Sequence, residues 1–159
     1  AVYLHGGQMD FLVAQGQLDV IRSFVQQVKD AGVAVGVAGH NPGVHVWANE
    51  NLKLDFHMCS YYNPTPRDEN AEHVHGAVEV FAAEDRDAMA ATIATLRAPA
   101  IHYKIFAAGR ADPGEAFAFV AQHLRPQDAV CIGIYQRNKP DMLAEDVRLF
   151  EEALARQQG

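Results

Sequence analysis

The chain has 159 residues, 49% of them apolar and 21% charged, and carries a net charge of −7. That length suits one domain with a real core, and no apolar run approaches the ~20 residues that span a bilayer. The negative charge argues against general nucleic-acid binding but leaves room for a local basic pocket that takes a small anion. Cys59 and Cys131 lie in apolar strand-like runs outside any CxxC pair. Buried thiols rather than a disulfide are therefore expected, which fits a cytoplasmic protein.

In chain order the sequence alternates strand and helix. Ala1 to His5 predicts a strand rather than a secretory signal. A Gly6-Gly7 turn follows, and then a helix from Leu18 to Ala31 with Leu18, Ile21, Val25 and Val28 on one face, ended by Gly32. Val33 to Ala38 predicts the second strand, running into His40-Asn41-Pro42, and a short helix covers Val44 to Glu50. Leu54 to Ser60 predicts the third strand.

A long polar segment then runs from Tyr61 to Glu84, and loops of that length are usually functional or mobile. Asp85 to Leu96 predicts a helix and Ala100 to Phe106 the fourth strand. Asp112-Pro113-Gly114-Glu115 reads as a helix start, with a capping residue, proline in the first turn and an early acid. That helix runs to Leu124. Ala129 to Tyr135 predicts the fifth strand, and a last helix spans Pro140 to Arg156. Five strand–helix units in this order predict a parallel α/β sheet in a single domain over 1–159.

Reading each strand with period two separates two faces. One carries Val2, Leu4, Val35, Val37, Phe56, Met58, Ile101, Tyr103, Val130 and Ile132, a helix-facing set. The other carries Tyr3, His5, Gly36, Ala38, His40, Asp55, His57, Cys59, His102, Lys104, Cys131 and Tyr135, which are small, polar or ionisable. A doubly wound sheet has helices on both faces and should be apolar throughout. The contrast therefore favours a barrel wall with a polar interior.

The segments AVYLHGG, VAVGVAGHNP, LDFHMCSYYNP, PAIHYKIFAAGR and DAVCIGIY, which together run the length of the chain, resemble the last five βα units of TIM-barrel enzymes. The resemblance is to metal-dependent hydrolases or sugar-isomerase-like barrels as a class. A complete barrel needs eight strands and about 250 residues. The resemblance thus implies a partial (βα)5 barrel: a fragment, a processed product, or a half-barrel completed by a partner. Two open sheet edges and an uncovered interior predict a homo-oligomer, most simply a dimer.

The histidines carry the chemistry. His5, His40 and His57 fall on successive predicted inner faces, and His102 adds a fourth, one strand on. Imidazoles with an open position suit a divalent metal, zinc foremost and manganese or iron next. A metal-activated water would attack an ester, lactone or phosphoester of a small-molecule substrate, which can be anionic. Lys104 and Arg110 would stabilise developing negative charge, Asp55 would pair with Lys104, and Tyr135 would donate a proton. The alternatives are a lyase or aldolase that uses Lys104 as a Schiff-base amine and a non-catalytic half-barrel. Gly109, Arg110 and Arg137 offer an anion site. The long loop, with Tyr61, Tyr62, Arg67, His73 and His75, is a candidate lid.

Overall fold

A computed structural model of the chain describes residues 1–157. Its strands are β1 (Val2–Leu4), β2 (Val35–Gly39), β3 (Phe56–Ser60), β4 (Ala100–Tyr103) and β5 (Ala129–Cys131). The helices are α1 (Gly6–Ala14), α2 (Leu18–Asp30), α3 (Pro42–Asn51), α4 (Ala83–Ile93), α5 (Pro113–His123) and α6 (Met142–Gln157). All neighbouring strands pair in parallel, in the unreversed order β1-β2-β3-β4-β5. No helix among the described residues is long and apolar enough to cross a membrane.

Local chemistry sets the helix ends as the sequence suggests. Asp112 accepts from the Glu115 N–H with Pro113 in the first turn, and Asn41 accepts from Gly43 N–H ahead of α3. Gly32 takes φ +70°, the left-handed conformation that closes α2 cheaply. One helix goes unanticipated. The Gly6-Gly7 pair does not merely turn the chain: it opens α1, which buries Met9, Asp10 and Leu12.

The register corrects the predicted faces. Residues level with one another across a parallel ladder share a face, so Leu4, Val37, His57 and Ala100 lie together, as do Gly39, Cys59, His102 and Val130. This is the face packed by helices. Leu4 and Val37 join a cluster with Met9, Leu12, Ile21 and Val44, while Cys59, Ala100 and Val130 join one with Met89, Ile93, Phe117 and Val120. The opposite face carries Tyr3, Gly36, Ala38, Phe56, Met58, Ile101, Tyr103, Ala129 and Cys131. None of these belongs to either core cluster. The β3 and β4 side chains are therefore one residue out of phase with the predicted alternation. The physical reason is that His57 and His102 find buried polar partners within the helical layer, so burial there selects no apolar residue type.

Two strands also end early. β4 stops at Tyr103 rather than Phe106 because Lys104, Ala107 and Ala108 all adopt positive φ (58°, 48° and 55°), a backbone that breaks ladder pairing and costs about 1 kcal/mol or more per non-glycine residue. β5 stops at Cys131, so Tyr135 lies beyond the sheet. Cys131 is exposed, contrary to the expected buried thiol; Cys59 is buried as expected.

Candidate active site

The site begins with the glycine pair. A Cβ on Gly6 would lie 2.9 Å from His40 Cε1 and 3.3 Å from the Tyr103 hydroxyl, so only glycine lets α1 approach the ends of β2 and β4 this closely. A Cβ on Gly7 would run into the carbonyl oxygen of Ala71, in the long loop. One turn into α1, Asp10 is 4% exposed and aims its carboxylate at the chain leaving β2. It accepts from the His40 N–H (3.1 Å to each oxygen), from the Asn41 N–H (3.3 Å) and from the imidazole of His40 at 2.7 Å.

That last contact fixes the ring. A carboxylate only accepts, so His40 Nδ1 carries the proton and Nε2 presents its lone pair outward. Lys104 Nζ donates to that nitrogen at 3.3 Å. Burial lowers the Lys104 pKa, and the positive charge of Arg67 adds to that fall while Glu79 and Asp10 oppose it. Tyr103 stands beside the imidazole at 6.3 Å between ring centroids, with its phenol pKa raised by burial.

His40, Tyr103 and Lys104 line a cleft of about 380 Å³ at the end of the sheet where the strands finish. His5 and Gln8 form its α1 side, and Arg67, Glu72 and His73 of the long loop form the opposite wall. The loop is held over the cleft at two points, by Ala71 on Gly7 and by Asp68 O accepting from Gln15 Nε2 at 2.8 Å. Arg67 donates to Glu72 O at 2.7 Å, which fixes the loop's own turn.

Of the four histidines expected to converge, the fold brings together His5 and His40 and separates the others. His57, 1% exposed, points into the helical layer, where its Nδ1 lies 3.2 Å from Nδ1 of His45 on α3. His45 Nε2 is 3.3 Å from Gly39 O, which makes that nitrogen the donor and leaves Nδ1 to accept from His57. Both rings are neutral: burial pushes His45 down to about 4 and His57 to about 3. His102, fully buried, links the Tyr61 hydroxyl (2.9 Å) to Asp128 (3.3 Å), and Asp128 also takes the Arg125 guanidinium and the Ala100 N–H. This chain of bonds ties the start of the long loop to the β4–β5 end of the core.

Three further expectations move. Asp55 is not near Lys104; it accepts from Val35 N–H at 2.8 Å, just ahead of β3, and braces β2. Tyr135 is exposed beyond β5 and lines neither the Lys104 cleft nor the adjoining one. Arg110 stacks on Phe81 at 4.5 Å and donates to Ala107 O, which supports the bend after β4. Asp10 and Tyr103 are the residues beside His40 that sequence reasoning missed. The signal for Asp10 was a lone acid inside an otherwise apolar helix turn, Met9-Asp10-Phe11-Leu12.

No group of three or more His, Cys, Asp or Glu side chains among the described residues is arranged to hold a metal ion. At His40 the Nδ1 is held by Asp10, and Lys104 Nζ stands at Nε2, where a cation would have to displace its ammonium. No family model, curated protein or solved structure matches the chain.

Proposed function

We propose that the chain is an enzyme of carbonyl chemistry in which Lys104 forms a Schiff base and the Asp10–His40 pair moves the protons, as in a lyase or aldolase. The observation that carries this reading is the 3.3 Å contact between Lys104 Nζ and an imidazole whose tautomer a buried carboxylate fixes. His40 Nε2 takes a proton from the Lys104 ammonium, and the freed amine lone pair attacks the substrate carbonyl carbon. The carbonyl oxygen leaves as water, taking one hydrogen from the amine and one from the His40 imidazolium. The resulting iminium is cationic and His40 is neutral again. His40 then removes a proton next to the iminium carbon, or takes the β-hydroxyl proton as the Cα–Cβ bond breaks and a carbonyl fragment leaves; in either case the electron pair flows to nitrogen as the enamine. The His40 imidazolium returns its proton to the enamine carbon, water adds to the iminium, and the product carbonyl leaves Lys104 as the amine.

The partly buried setting of Lys104 supports this chemistry, because desolvation favours the neutral amine. Of the four histidines of the hydrolase reading, His57 and His102 are taken up by buried partners, and only His5 and His40 face the cleft. We further read the sheet as part of a (β/α) barrel: its strand order has no reversal, and only one face is packed by helices.

Reduction with borohydride in the presence of a small 2-oxo acid tests the proposal. The expected result is a stable adduct mapped to Lys104 and absent in Lys104→Met. Asp10→Asn frees the imidazole to take the wrong tautomer and is expected to slow adduct formation by about 100-fold or more. Adduct formation on other lysines alone, or a rate indifferent to Asp10→Asn, would overturn it.

A further inference from the structure

Lys104 stands where two clefts meet. One is the polar cleft of His40 and the long loop. The other, about 470 Å³, shares only Tyr103 and Lys104 with the first. Phe81, Ile105, Phe106, Ile132 and Met142 give it apolar walls, and Glu79 is its one charged lining residue besides Lys104. Ligand sites commonly measure ~300–1,000 Å³, so a phenyl ring or branched alkyl chain fits with room to spare. The bend after β4 shapes this second cleft as well, since Ala108 and Gly109 line it.

We infer that the substrate is an amphipathic carbonyl compound, whose reacting carbon joins a polar arm held in the loop-covered cleft to an aryl-sized apolar arm held in the second cleft. The inference rests on the Schiff-base reading and adds the substrate class to it. Its support is geometric. Lys104 lines both clefts, one with Arg67, His73 and Gln8 to meet oxygen atoms, the other with almost nothing to meet but carbon. An arm buried there gains binding with each methylene, on the order of tenfold or more.

Pyruvate and phenylpyruvate share the polar arm and differ only in the apolar one. In borohydride trapping on the intact chain, phenylpyruvate is expected to half-saturate Lys104 labelling at a concentration at least ~10-fold below pyruvate, with 2-oxobutanoate between them. Gly133 lines the apolar cleft, and a Cβ there would meet nothing within 4 Å. Gly133→Trp should therefore fill the cleft and bring the two concentrations together. Equal half-saturation in the parent chain overturns the inference and leaves the Schiff base standing. So does a preference that survives Gly133→Trp, or a Gly133→Trp chain with a changed solution mass, which would assign the cleft to a second copy. If neither probe labels Lys104, the Schiff-base reading fails, and calorimetry decides the cleft. Tighter binding of phenylpyruvate that Gly133→Trp abolishes retains the two-armed site, and equal binding removes it.

Discussion

His45 and His57 are paired through one hydrogen bond, and burial keeps both neutral in the folded chain. Their folded values near 4 and 3 lie below the ordinary 6.5, so the unfolded chain binds more protons throughout that window. Stability is full above pH 6.5 and falls as pH drops toward the folded values. Between pH 7 and pH 5 the pair is expected to lose roughly 2 kcal/mol or more of unfolding free energy, read from urea melts at the two pH values. A His45→Leu/His57→Met chain replaces both partners and should show a clearly shallower pH slope, keeping the part due to His102, whose pKa burial also lowers. An unchanged slope in the double variant would refute the assignment. The Asp10–His40 pair, by contrast, lies at a cleft.

At the scale of elements, α1 and the long loop form one device. Gly7 lets the Ala71 carbonyl seat on the start of α1, and Gln15 catches Asp68 at the other end of the same helix. Gly7→Ala is expected to lift the loop, making trypsin cleavage after Arg67 at least ~10-fold faster at a stability cost of about 1–3 kcal/mol. Cleavage at the parent rate would show that the loop is held elsewhere. The elements themselves were largely legible in the sequence, because capping at Asp112 and the apolar stripe of α2 are local signals. The α1 helix was not, since a double glycine normally reads as a turn and its reason here is distant: His40 and Ala71 pressing on it. The cleft was half legible. His40 and Lys104 stood out as ionisable groups near strand ends, whereas Asp10 sat in an apparent turn. Tyr103 was assigned to the wrong face because His57 and His102 have buried partners that no period-two count reveals.

Across the whole molecule, the sheet has one helix-packed face and one open one. Tyr3 is 42% exposed and packs edge-on against Phe56 at 6.4 Å, and Ala129 and Cys131 are exposed further along. The outer edges of β1 and β5 pair with no strand among the described residues. Unpaired parallel edges beside an apolar face favour association, so light scattering at ~50 µM is expected to give a mass above that of one chain. A monodisperse monomer would contradict this.

The bend at the end of β4 has a consequence for anyone who would move this chemistry elsewhere. By strand alternation, residue 104 should follow His102 into the helical layer; its left-handed backbone turns it instead toward Tyr103 and His40. The Lys104 amine thus owes its address to main-chain geometry and not to its place in a pleat. Grafting a lysine, a histidine and an aspartate onto the strand ends of another parallel sheet would leave the amine facing the wrong way. The smallest portable unit is the 103–109 bend, His40 and the Gly6-to-Asp10 turn of helix together, because His40 is the bridge between Asp10 and Lys104.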